Sequence, residues 1–92
     1  MAEPVYRFYK YFIPDYMMGG LTRYINEGIR PGHFLTAVIC NDLSVAVGKA
    51  DDINIDNLPA FAAYLYNEAP SPCWGSKEKM EAWIAKFEGV AK

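Results

Sequence analysis

The strongest constraint on this chain is where its helix breakers fall. Pro14, Gly28, the Pro31–Gly32 pair, Gly48, and the Pro70, Pro72 and Gly75 group divide 92 residues into segments of helical length. Glycine accepts the left-handed backbone that ends a helix, and proline is tolerated in a first turn but not in a helix interior. The corner GIRPGHF, residues 28–34, shows both rules at once, with Gly28 placed to stop one helix and Pro31–Gly32 placed to start the next.

Between these breakers the apolar residues recur at helical spacing. Met17, Met18, Leu21, Tyr24 and Ile25 predict a first helix from Asp15 to Glu27, with Tyr16, Arg23, Asn26 and Glu27 outward and an Arg23–Glu27 pair four residues apart. Leu35, Val38, Ile39, Leu43 and Ala46 predict a second helix from about Gly32 to Lys49. After a loop, DDINID, a third is expected from about Asn57 to Glu68, with Asp56 as N-cap and Pro59 in the first turn. Its Leu58, Phe61, Ala62 and Leu65 should face inward, and Tyr64 and Asn67 outward. Ser76 should cap a fourth helix, whose stripe is Met80, Trp83, Ile84 and Phe87.

The opening segment EPVYRFYKYFIP alternates rather than repeating every three to four residues, which suits a short strand or an extended arm. The fold expected is therefore all-α, a small bundle of about four helices in one domain, with an aromatic strand or arm over residues 1–13 and a helical core over 14–89.

Composition narrows the function. Hydrophobic residues make up 52% of the chain and aromatics 15%, more than so small a core can hide, so a partner surface or a homodimer is favoured. Nine Lys and Arg stand against eleven Asp and Glu, and residues 31–70 carry Lys49 alone against five carboxylates. Nucleic-acid binding is disfavoured, because it rests on clustered cations. Gly28 to Gly32 does have the spacing of a helix-turn-helix corner, but the helix after it offers base edges only His33 and Thr36. No apolar run is long enough for a membrane span and no basic leader opens the chain, so a soluble protein of the cytoplasm is expected. Cys40 and Cys73 lack a CxxC spacing and are expected reduced.

No catalytic set emerges. His33, the lone histidine, and Cys40 are separated by about 10 Å along one helix at 1.5 Å per residue. That is too far for a thiol to pass a proton to an imidazole. Two Cys and one His do not make a zinc site, and no cofactor motif is present.

The residues left unexplained by the core are the candidate binding residues. In an unbroken second helix Asp42 falls near the middle of the apolar face, where an unpaired carboxylate is costly. Three readings follow: Asp42 accepts hydrogen bonds from another helix start or from the loop 70–76; the helix breaks at Asn41–Asp42; or the residue belongs to a ligand or partner site. Arg30 and His33 beside a helix N-terminus are candidate anion contacts, although the glycines and lysine of a phosphate loop are missing. Trp74 sits in a loop where helical packing does not require it. It either folds back over the core or anchors an interface, with Arg23 and Tyr64 as neighbours. The arm YRFYKYF is either a second contact surface or an edge strand on the bundle.

The runs IPDYMMGGLTRYINEGIRPGHFLTAVICNDL, KADD, LPAFAAYLYNEAP and CWGSKEKMEAWI, spanning Ile13 to Ile84, resemble a family of short uncharacterised proteins of tailed phages and prophages. The resemblance carries no functional residue. It implies a phage accessory protein in the bacterial cytoplasm, acting by binding: either it inhibits a host defence protein, or it acts as a sponge for an anionic small molecule such as a cyclic nucleotide. Arg30, His33, Asn41 and Asp42 are the candidate seat of such an anion.

Overall fold

The computed structural model describes residues 6–91, with side chains described through residue 88. It is a small helical bundle carrying a two-stranded hairpin. Strands β1 (Arg7–Phe8) and β2 (Tyr11–Phe12) pair antiparallel, with Arg7 opposite Phe12 and Phe8 opposite Tyr11. Six helices follow: α1 (Asp15–Glu27), α2 (His33–Ile39), α3 (Leu43–Lys49), α4 (Asp52–Asp56), α5 (Leu58–Glu68) and α6 (Lys77–Ala91), with a 3-10 turn at Ser71–Cys73. No described helix is long and apolar enough to cross a membrane.

The aromatic segment is a hairpin lying on α5. The Tyr6 ring meets Tyr64 edge-on with centroids 5.2 Å apart, and the Phe12 N–H donates to Asn57 Oδ1 at 2.9 Å. Asn57, buried at the head of α5, also donates through Nδ2 to the Ile53 carbonyl at 2.8 Å, so one amide ties β2, α4 and α5 together. Val5 lies outside the described residues. Tyr64 is thus half-buried rather than outward, and burial pushes its phenol pKa up.

Helix α1 ends as expected. Gly28 has φ 68°, and its N–H donates to the Tyr24 carbonyl at 2.9 Å. A side chain there is excluded twice over, because a Cβ would also lie 2.5 Å from the Phe87 ring. Tyr24 is fully buried, its hydroxyl donating to the Cys73 carbonyl at 2.6 Å, while Trp83 Nε1 donates to the carbonyls of Tyr24 and Ile25 at 3.1 and 3.2 Å. These bonds satisfy carbonyls in the last turns of α1 and fix α6 against it. Ile13, Leu21, Ile39, Phe61, Leu65 and Met80 fill the core beside them. Burying each such side chain contributes roughly 1.5–3 kcal/mol.

The expected second helix is two helices. Asn41 takes φ 64°, its N–H donating to the Val38 carbonyl at 3.1 Å and the Asp42 N–H donating to Ala37 at 2.8 Å, which is a Schellman stop built on asparagine. Asp42 then begins α3, accepting the Val45 N–H on Oδ1 at 3.4 Å. The apolar-face position inferred for Asp42 is therefore wrong: the residue is an exposed N-cap, as the reading with a break at Asn41–Asp42 requires. The break also re-phases the stripe, leaving Leu43 70% exposed instead of inward.

Two further corrections concern the next segment. The loop expected at DDINID is mostly helix α4, capped by Asp51, whose Oδ1 accepts the Asn54 N–H at 2.7 Å. Asp56 closes that helix and does not cap α5, which starts after Asn57 without a side-chain cap bond. Along α5, Ala62 is exposed and Ala60 and Ala63 are buried in its place. At α6 the cap stands, with the Lys79 N–H donating to Ser76 Oγ at 3.1 Å.

Candidate functional site

The break after α2 turns α3 back beside α5 and opens a groove between them. Its volume is about 280 Å3. Ala46 and Leu43 of α3 form one wall, and Leu58, Pro59, Ala62 and Leu65 of α5 form the other. Ala37 and Val38 close it from α2, and Trp74, half-buried, stands at the edge. The polar residues that line it are Asn41 and Asp42. The loop bearing Trp74 is pinned to the end of α2, where the Gly75 N–H donates to the Ile39 carbonyl at 2.8 Å.

The groove continues outward as an apolar face. Pro59, Ala62 and Tyr66 recur along α5 at helical spacing, all exposed, with Tyr66 78% exposed. On α3 Leu43 and Val47, four residues apart, are exposed as well. A face with this many uncovered aliphatic and aromatic groups is the kind that marks an interaction site.

Of the other singled-out residues, Arg23, Arg30 and His33 line one recess of about 420 Å3 between α1 and the corner before α2, and Tyr64 stands apart on the hairpin. Arg30 and His33 also line a separate recess of about 470 Å3 between α2, α3 and α6, which Asp42 borders from its other side. Arg30 is already engaged: its guanidinium is 2.7 Å from Glu81 Oε1, a contact that lowers the Glu81 carboxyl pKa. Among the described residues this is the ion pair formed, and Arg23 and Glu27 do not pair. Arg23 lies along α1 over Gly19, 3.1 Å from where a Cβ would stand, and Tyr64 packs on the hairpin. Neither is a neighbour of Trp74 across the groove.

The surroundings of the thiols discourage nucleophilic chemistry. Cys73 is fully buried and burial raises its pKa, and among the described residues no hydrogen bond joins its thiol to the exposed His33. Cys40 directs Sγ to Met80 Sδ at 3.5 Å, and burial, then Glu81, raises its pKa too. Both cysteines are free. Helix α2 is seven residues long with Phe34, Leu35, Ala37 and Ile39 buried, so His33 is its one exposed side chain.

The reading from sequence brought forward Asn41, Asp42 and Trp74, and these three meet at one groove. It missed Leu43, Pro59 and Ala62, because an unbroken second helix and an inward Ala62 hid them. The signal that could have exposed them is the Asn41–Asp42 pair itself, since Asn tolerates the left-handed backbone and Asp is a good cap. No family model, no curated protein and no solved structure matches this chain.

Proposed function

We propose that the protein works by binding rather than catalysis, and that the α3–α5 groove receives an apolar segment of a host protein bearing a basic residue opposite Asp42. The observation that carries this reading is the groove, apolar along both helices with Asn41 and Asp42 its polar residues and exposed Leu43, Val47 and Tyr66 extending its rim. Trp74 supplies an aromatic anchor of the type that dominates interface energetics. The absence of cations from the groove lining makes a protein segment a better occupant there than an anionic molecule. The resemblance to short tailed-phage proteins supports the biological sense of the binding: a phage accessory factor in the host cytoplasm that occupies, and so inhibits, a host defence protein.

A peptide selection tests the groove whatever the identity of the partner. A random 12-residue peptide library is selected on the wild-type protein and each enriched peptide is titrated against wild type, Leu43→Ser and Ala62→Glu. The reading expects apolar peptides carrying Arg or Lys, at least about tenfold weaker on both variants and weaker on Asp42→Asn. Peptides that bind all four proteins alike, or a selection without enrichment, would reject the groove. If the protein instead proves a dimer whose mass falls to that of a monomer in Leu43→Ser, the occupant is a second copy and not a host protein.

A further inference from the structure

We propose that the recess between α2, α3 and α6 is a second binding site, one for a mononucleotide-sized organic phosphate with a flat apolar body. This goes beyond the groove, with which the recess shares only Ala37 and Asp42.

A net-acidic chain has few cations to place, and this one gathers several of them here. Lys49 is the one Lys or Arg between residues 31 and 70, and it lines this recess. Arg30, His33 and Lys77 converge on the same recess from the corner before α2, the first turn of α2 and the first turn of α6. Cations from three parts of the sequence, Arg30, Lys49 and Lys77, thus meet beside His33 at one concavity of a protein whose formal net charge is −2. Three cations against the carboxylates of Asp42 and Glu81 leave the concavity net positive, and a local excess of that kind draws an anion to a protein that repels it elsewhere.

Two carboxylates also border the recess, and each has a structural task. Glu81 is held by Arg30 at 2.7 Å, and Asp42 Oδ1 accepts the α3 cap bond from the Val45 N–H. Lys49 and Lys77 have no ion-pair partner among the described residues, so they are the charges free to meet a ligand. Between them the recess is lined by Ala37, Cys40, Val45 and Met80, an apolar bed including a polarisable thioether. A cationic rim over an apolar bed suits an anion attached to a flat ring better than a bare inorganic ion. The volume of about 470 Å3 lies within the range of small-molecule sites.

Asp42 gives the proposal a distinctive test, because Asn caps a helix about as well as Asp. Asp42→Asn therefore keeps α3 while removing a negative charge from the recess. In an amide shift titration of the isotope-labelled full chain at low salt, AMP is expected to move residues 36–40, 45–49 and 77–81. It should bind about tenfold more tightly than either adenosine or inorganic phosphate, since only AMP uses both bed and rim. Lys49→Gln with Lys77→Gln should weaken AMP about tenfold, and Asp42→Asn should strengthen it about threefold. Leu43→Ser should leave AMP binding unchanged, so failure of the groove and failure of the recess are separable. The proposal is overturned by any of four results: no saturable shifts, shifts mapping elsewhere, equal affinity for adenosine or phosphate, or indifference to the paired lysine substitutions in a protein whose spectrum shows it folded.

Discussion

The two sides of this bundle are finished to different degrees. On the α1–α6 side, Tyr24 is fully buried with its hydroxyl and carbonyl both bonded, Trp83 satisfies the last turns of α1, and Phe87 fills the space over Gly28. On the α3–α5 side, the short helix α3 leaves Leu43 and Val47 substantially exposed beside an open apolar groove. Among the described residues, interlocking hydrogen bonds close the first side and no segment covers the groove of the second. Stability accordingly resides on the first side, and on the second the exposed Leu43 and Ala62 can be substituted at little cost to the fold.

That contrast can be broken most sharply at Gly28. Gly28→Ala forces a Cβ into the left-handed region and into the Phe87 ring, so urea denaturation should show a loss of roughly 2–4 kcal/mol. Phe87→Ala in the same chain should recover only the ring's share of that clash, because the Phe87 Cβ itself lies 2.7 Å from the added carbon. A wild-type stability after Gly28→Ala would mean that α6 does not pack as described.

Tyr24→Phe comes next. It strips the Cys73 carbonyl of a buried donor at an expected cost of about 1–3 kcal/mol. Burial, and then nearby Cys73, hold the folded-state pKa of Tyr24 above the ordinary phenol value. The folded state therefore keeps a proton that the unfolded chain releases once pH exceeds about 10. By linkage, stability due to this group is intact below that pH and is lost as pH rises beyond it. The wild type should lose more stability than Tyr24→Phe between neutral and strongly alkaline solution; parallel pH curves would contradict the burial of this hydroxyl.

Smaller effects belong to the joint between α2 and α3. Asp42→Ala should cost about 1 kcal/mol through the lost cap, and Asp42→Asn much less. Asn41→Gly should be neutral or slightly stabilising, since φ is 64°, whereas Asn41→Val should destabilise. The smallest stability change is expected for Leu43→Ser, within about 0.5 kcal/mol because the side chain is mostly in solvent. A large loss there would show that Leu43 supports the fold and would sharpen the boundary between the two sides in favour of structure.

The legibility of the sequence follows the same division. Helices α1, α5 and α6 run 13, 11 and 15 residues, long enough for apolar periodicity to register, with the Gly28 stop of α1 and the Ser76 cap of α6 agreeing with it and the cap of α5 not. The aromatic hairpin showed in its alternation. Helices α3 and α4 run 7 and 5 residues, too short for a 3.6-residue period to register against neighbouring patterns. The stop between α2 and α3 uses Asn where Gly is usual, so the stripe read straight through it. For the candidate site, the misplaced Asp42 was nonetheless the right residue to question, since a charge that fits no core position pointed to the joint that opens the groove. Arg23 and Tyr64 were grouped with Trp74 by residue type and an expected outward face, and tertiary packing separates them. Lys49 stood out only as the lone cation of an acidic middle and Lys77 not at all, because convergence from distant segments leaves no local pattern.

The central claim is that the α3–α5 face is a docking surface and the α1–α6 side is not. Hydrogen exchange of the backbone, with and without a peptide selected on the protein, tests it directly. Protection should rise in residues 41–49 and 58–66 while residues 15–27 and 77–88 stay as they are. Protection gained on α1 and α6, with the α3–α5 face unaltered, would contradict the account.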